Sequence, residues 1–257
     1  MTLGFIGIGH IATAVIEGLY QSKPDNLRIH LSPRGKKNSI RLAETYPSVY
    51  RLKNNQQVVN QSDIIFIAVR PSDAGPVLTE LSFSEDQTVV SFVPFLQQED
   101  FTKAVGPAQK VCRAIPLPTV IYHTCPIPLF NATDEIINLF NRIGQPLQVT
   151  NEKQLHALWT LTGFITPFYD ILDELSTWAE SEGVDKPVAN QYLADLFQSL
   201  SFAAQQSDPI NFEKLSNHAA TPNGMNEQAG EELKKQGTLQ TYTKIADRLL
   251  EQFQQNL

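Results

Sequence analysis

The residues best placed to do chemistry stand within the first dozen positions. Leu3-Gly4-Phe5-Ile6-Gly7-Ile8-Gly9-His10-Ile11-Ala12 carries the spacing G-x-G-x-x-A, from Gly7 to Ala12, between an apolar run and a helical one. Gly7 permits a tight turn, Gly9 lets the backbone approach a pyrophosphate, and Ala12 lets the following helix pack close to its strand. Backbone N–H groups at the helix start then face phosphate oxygens, with His10 and Ile11 lining the loop. The alternative is a tight strand–helix turn with no ligand. The next apolar run bears on which dinucleotide fits. An NAD-type site ends its second strand with a carboxylate that holds the ribose hydroxyls. Here Arg28-Ile29-His30-Leu31 runs into Ser32-Pro33-Arg34-Gly35-Lys36-Lys37, which has no carboxylate and a cluster of basic residues. Ser32 could give a hydroxyl hydrogen bond and Arg34 a charged fork to a 2′-phosphate, which points to NADPH. A solvated basic turn is the alternative for this cluster.

These loops need a scaffold, and the chain supplies an alternating one. Leu3 to Ile8, Leu27 to Leu31, Val49 to Leu52, Ile64 to Val69, Val89 to Val93 and Lys110 to Ile115 read as buried strands. Between them lie helical stretches at His10 to Tyr20, Ile40 to Thr45, Asn55 to Gln61, Pro71 to Leu81 (a helix or a turn) and Gln97 to Ala104. A helix over Thr133 to Ile143 closes the unit near Val149. Strands alternating with helices, and apolar throughout rather than on one face, indicate a parallel sheet covered on both sides. The class is α/β: a Rossmann-type parallel-sheet domain over residues 1–150, then an all-helical domain over 151–257. In the second part apolar residues recur at helical spacing, through Leu155, Leu158 and Trp159 to Leu172, Leu175 and Trp178, with Pro167 kinking or splitting the run. Val188, Tyr192, Leu196 and Leu200 mark another helix. Leu239, Tyr242, Ile245, Leu249 and Phe253 mark a last amphipathic one.

Composition narrows the function class. The chain has 257 residues, of which 42% are hydrophobic, enough for two cores and too many for a disordered chain. Twenty basic against 27 acidic residues give a net charge of −7, a sign that repels nucleic-acid backbones. The run Ile64 to Val69 is far too short to span a bilayer, and no basic segment precedes an apolar one at the start. A cytoplasmic protein with no membrane partner is the expectation. Cys112 and Cys125 make neither a disulfide framework nor a metal site of recognisable spacing.

Taken together, the glycine loop, Ser32-Pro33-Arg34 and the second half resemble the pyrroline-5-carboxylate reductase family over nearly the whole length. Asn55 matches that family's asparagine beside the adenosine. Ala68-Val69-Arg70-Pro71 resembles its A-V-K-P turn on the nicotinamide side. Val111 to Thr119 reads V-C-R-A-I-P-L-P-T against V-x-R-x-M-P-N-T-P. Thr160-Leu161-Thr162-Gly163 resembles A-L-S-G, and Ala220-Thr221-Pro222-Asn223-Gly224-Met225-Asn226 stands where the family has T-S-P-G-G-T-T.

The resemblance implies an NADPH-dependent reductase of a C=N bond, reducing 1-pyrroline-5-carboxylate to proline. It also implies that the helical domains interlock as a homodimer or a larger homo-oligomer. Thr221, Gly224 and Asn226 are then the residues that meet a small carboxylated imine, with Thr221 as helix N-cap, Pro222 at the first helical position, and exposed N–H groups for the carboxylate. Several positions depart from the pattern. Leu117 replaces an asparagine, Phe164, Ile165 and Thr166 replace a small segment, and Met225 and Asn226 replace two threonines. These departures keep open a different imine, a ketone, or a dinucleotide-binding sensor without turnover.

Overall fold

A computed structural model describes residues 1–23 and 26–255. Two compact units emerge: Met1–Trp159 together with the chain from Leu250 onward, and Thr160–Leu249.

In the first unit the chain runs β1 (Thr2–Ile6), α1 (His10–Gln21), β2 (Arg28–Leu31), α2 (Lys36–Thr45), β3 (Val49–Arg51), α3 (Asn55–Asn60), β4 (Ile64–Ile67), α4 (Pro71–Thr79), β5 (Thr88–Ser91), α5 (Gln98–Ala104) and β6 (Lys110–Ala114). A 3₁₀ turn over Pro118–Tyr122 leads to β7 (Cys125–Phe130), α6 (Asp134–Phe140), β8 (Gly144–Val149) and α7 (Glu152–Leu161). The strands form one sheet in the order β3-β2-β1-β4-β5-β6-β7-β8. From β3 to β6 every pairing is parallel. Burial explains the apolar strands. Leu3, Phe5, Ile64 and Phe66 face one core with α1 and α6, while Ile6, Ile65 and Ile67 face another with α3, α4 and α5. Phe5 and Phe66 stack across the β1–β4 pair with ring centroids 4.6 Å apart.

Two strands correct the sequence reading. β7 runs antiparallel to β6, and β8 pairs with β7 in parallel along its whole length, so the sheet is mostly rather than wholly parallel. Pro126 and Pro128 lack the N–H a central strand uses, so this run carries a weak strand signal. β8 is half polar and lies at the sheet's edge. The sequence places a boundary near residue 150, at the end of β8, whereas the two units divide between Trp159 and Thr160. The last turn of the C-terminal helix is grouped with the sheet: buried Phe253 stacks on His156 at 4.6 Å and lies 4.7 Å from Phe95.

The second unit holds a 3₁₀ turn over Thr162–Phe164, then α8 (Ile165–Ser181), α9 (Lys186–Gln205), α10 (Phe212–Ala219) and α11 (Met225–Lys235). Most of α12 (Thr238–Gln255) also belongs to it. Pro167 sits in the first turn of α8, where its missing N–H has no helical partner to lose, and the helix breaks just ahead of it. α9 packs along α8, and Ser176 donates to Asn190 Oδ1 at 2.5 Å. Among the described residues no helix is long and apolar enough to cross a membrane.

Candidate active site

The carboxyl ends of β1, β2 and β4 gather one set of candidates. β1 ends at Ile6 because Gly7 turns the chain with φ +91°. A Cβ on Gly7 would lie 2.7 Å from the Ala68 carbonyl oxygen, so only glycine lets this turn sit against the end of β4. Gly9 caps α1 in an extended conformation, and a Cβ there would meet nothing within 4 Å. No side chain caps the helix, so the N–H groups of His10, Ile11 and Ala12 at its first turn point into open space. Ala12 itself is buried against the sheet, His10 is exposed, and Ile11 is half-buried.

The second loop is stitched onto the first. Ser32 is fully buried, and its Oγ accepts the Gly7 N–H at 2.9 Å. Ser32 therefore braces the glycine turn and keeps its own hydroxyl proton to donate. Asn38 of α2 donates to the Ile8 carbonyl at 3.0 Å, and a Cβ on Gly35 would lie 2.8 Å from that same oxygen. Exposed Arg34 pairs with Asp73 of α4 at 3.4 Å. Since β1 lies between β2 and β4, this pair reaches across the end of β1, above the glycine loop. Asn55 opens α3, half-buried, behind an Asn54 cap that accepts the Gln57 N–H at 2.9 Å. Ala68 and Val69 are half-buried, exposed Arg70 caps α4, and Pro71 is its first residue. Asn38, Asp73 and Arg51 join this edge without a local motif in the sequence. The only hint for Arg51 was one more basic residue at a strand end.

A charged group lies deeper, near the ends of β5 and β6. Arg113 is fully buried, with its guanidinium paired to Glu152, 3.2 Å from His156 Nε2 and 5.4 Å from the Trp159 ring centroid. Glu152 also accepts the Gln98 N–H at 2.8 Å. Burial draws Arg113 below its usual range while Glu152 pulls it back up. Burial and then Arg113 hold His156 below the usual histidine value, against Glu152. His123 donates its ring Nε2–H to the Gly18 carbonyl of α1 at 3.0 Å. Cys112 is inert: burial pushes its thiol up to about 12.

In the second unit Thr221, Gly224 and Asn226 come together around the start of α11. The cap expected at Thr221 is corrected: Gly224 is the N-cap, and Pro222 lies outside the helix. Thr221 to Gly224 form a turn closed by the Gly224 N–H on the Thr221 carbonyl at 2.8 Å, with Asn223 at φ +57°. Pro at the second position and a left-handed third residue are the marks of a type II turn, which competes for the same sequence as an N-cap. A Cβ on Gly224 would run into the Thr221 side chain, so this glycine is required for packing. Glu227 accepts the Asn223 N–H at 2.7 Å, and Asn226 donates its amide to the Ala219 carbonyl at 3.1 Å. Met225 is 86% exposed.

Residues 2–94 match the family model described as "NADP oxidoreductase coenzyme F420-dependent". The chain is 26% identical over 237 residues to pyrroline-5-carboxylate reductase 2 of Bacillus subtilis, covering 88% of this chain and 84% of that one. Its fold is that of the 1-pyrroline-5-carboxylate reductase of Streptococcus pyogenes, with a TM-score of 0.85 at 19% identity over 98% of both chains. A Plasmodium falciparum pyrroline carboxylate reductase solved with NADP bound gives a TM-score of 0.85 at 17% identity, over 100% of this chain and 98% of that one. Over most of its length the chain is thus similar in sequence to pyrroline-5-carboxylate reductases, and it has their fold.

Proposed function

We propose that this chain is an NADPH-dependent reductase of a C=N bond in a small carboxylated substrate, with 1-pyrroline-5-carboxylate to proline as the named reaction. The observation that carries the reading is the open, uncapped start of α1 at Gly9, overlooked by a loop bearing Arg34. Such a cradle fits a dinucleotide, whose pyrophosphate takes the N–H groups of the first turn. The residues to hold it are Gly7, Gly9, His10, Ile11 and Ala12 at the pyrophosphate, and Ser32 and Arg34 at the 2′-phosphate. Asn55 and Ala68 to Pro71 serve the remaining parts. Bound NADPH supplies the hydride that reduces the imine carbon.

The chain's own share is orientation, exclusion of water, and a partner for the substrate's carboxylate and nitrogen. Exposed Thr221 carries a hydroxyl for this, Gly224 makes room for that side chain beside the start of the helix, and Asn226 keeps one amide N–H beyond the one given to Ala219. That commitment, with exposed Met225 beside it, favours a second reading: a different imine, or a ketone, reduced at the same site. The homodimer belongs to the same proposal. In the helical unit Trp178, Tyr192, Phe202 and Phe212 are 63 to 73% exposed, a load of apolar surface that a second copy would cover. A cytoplasmic location fits this chemistry.

The test is NADPH oxidation followed by absorbance with 1-pyrroline-5-carboxylate. A saturable rate, lowered by Asn226→Ala, supports proline formation. No rate, with NADPH binding weakened by Arg34→Ala, points to the second reading. Loss of both rate and binding would refute the proposal. Sedimentation of the wild type against Trp178→Glu reads the dimer.

A further inference from the structure

We propose that Arg51 determines selectivity for the 2′-phosphate by fixing the loop that presents Arg34. The inference rests on the NADPH reading above. Arg51 ends β3 in register with Leu31, which ends β2, so it emerges at the same carboxyl edge as the Ser32–Gly35 loop. Its fork is already engaged: Nη2 donates to the Pro33 carbonyl at 3.0 Å, and Nε donates to Ser39 Oγ at 3.0 Å. Ser39 is fully buried in α2 and hands its own proton to the Lys36 carbonyl at 3.3 Å. One guanidinium therefore ties the residue before Arg34 to the first turn of the helix after it.

The geometry transmits this grip. The Pro33 carbonyl belongs to the rigid peptide plane that leads into Arg34, so fixing its direction fixes where Arg34 departs. The loop then turns at Gly35, whose φ of +78° places it against the Ile8 carbonyl, and Asn38 seals that contact. A shift at Pro33 would redirect Arg34, while the glycine turn keeps its own brace from Ser32. An exposed arginine serving only as a solvated charge would gain nothing from holding two fixed partners, since ordering its long side chain costs entropy. The arrangement needs the planar fork. A lysine at this place has one nitrogen and cannot span both partners. Arg51 is thus a positioning residue for Arg34. Its Nη1 has no hydrogen-bond partner among the described residues and remains open to the phosphate.

Calorimetric titration of the full chain with NADPH and with NADH tests the assignment. Arg51→Met is expected to weaken NADPH by about tenfold, the loss of roughly one charge-assisted hydrogen bond. NADH binding stays within about twofold, since that dinucleotide has nothing for Arg34 to hold. Arg51→Lys keeps the charge and is expected to lose nearly as much as Arg51→Met. Unchanged NADPH binding in Arg51→Met, equal losses for both dinucleotides, or full rescue by Arg51→Lys would each overturn the inference while leaving the NADPH reading intact. A wild-type chain that binds neither dinucleotide would overturn both.

Discussion

Gly7 and Gly9 stand two residues apart, and the structure predicts opposite consequences for adding a methyl group to each. Gly9 has φ −87° and ψ −167°, a conformation open to any residue, and a Cβ would meet nothing within 4 Å. Alanine is a poorer N-cap than glycine, but it also removes freedom from the unfolded chain. The two effects, each about 1 kcal/mol or less, oppose one another. Stability should change by no more than about 1 kcal/mol, or roughly 2–4 °C in Tm for a chain of this size. Binding is another matter, because the methyl would occupy the space a pyrophosphate must enter. Two charge-assisted hydrogen bonds lost at about 1.5–3 kcal/mol each give about 3–6 kcal/mol, or roughly 10²- to 10⁴-fold in the NADPH Kd. Gly7→Ala reverses the pattern. Its φ of +91° and the Ala68 carbonyl 2.7 Å from the new Cβ put strain into the folded state. The left-handed backbone alone accounts for about 1–3 kcal/mol, and the clash adds to it. Thermal melts and calorimetric NADPH titrations of both variants are the assay. NADPH binding by Gly9→Ala within about threefold of wild type would refute the reasoning and leave the loop as a bare turn.

Two further outcomes follow from the buried charges. Glu152→Ala leaves the guanidinium of Arg113 buried without its carboxylate. A loss of about 3 kcal/mol in urea unfolding is expected, at the low end of the range because the Glu152 side chain is 24% exposed; Glu152→Gln, which can still accept the Gln98 N–H, should lose less. His30 and His156 are both held below the ordinary histidine pKa. Burial is the main cause for each, with Arg28 adding to it at the first and Arg113 at the second. The unfolded chain then binds more protons than the folded one, so stability is full above a pH of about 6.5 and falls as the pH drops below it. Urea midpoints between pH 8 and pH 5 read this, and His30→Gln with His156→Gln should flatten the slope. An unchanged slope in the double variant would remove these histidines as its source.

What was legible in the sequence depends on how local each interaction is. The glycine loop could be read directly because backbone groups do its work, and residues within one six-residue span fix their φ and ψ. Ser32 was placed correctly at the end of its strand. Its bond to the Gly7 N–H, however, joins positions 25 apart that only the β1–β2 pairing brings together. Arg51 had no local signature, since its partners Pro33 and Ser39 become neighbours only when β3 pairs with β2. Glu152 and His156 share a helix face at i, i+4, yet nothing near them announces Arg113, which arrives 39 positions earlier on β6. β7 has a weak local signature, because Pro126 and Pro128 cannot donate to a ladder, yet β8 pairs alongside it.

The substrate side was harder for a different physical reason. Thr221-Pro222-Asn223-Gly224 satisfies both the rule for a capped helix start and the rule for a type II turn, and local sequence does not decide between them. The decision comes from Asn223, whose left-handed backbone is held by Glu227 on its N–H and Gln228 on its carbonyl, both from the following helix. That helix in turn starts at Gly224, whose missing side chain makes room for Thr221. Turn and helix therefore specify each other, and Asn226 completes the arrangement by reaching back to Ala219. An asparagine in this place carries a second amide proton and a carbonyl, so it can hold the turn and still offer a donor, which a threonine hydroxyl with its single proton could not do. The replacement that weakens the family match is thus chemically compatible with the family's reaction. On that argument Asn226→Thr should loosen the turn while keeping one donor, and Asn226→Asp should keep the acceptor and lose turnover.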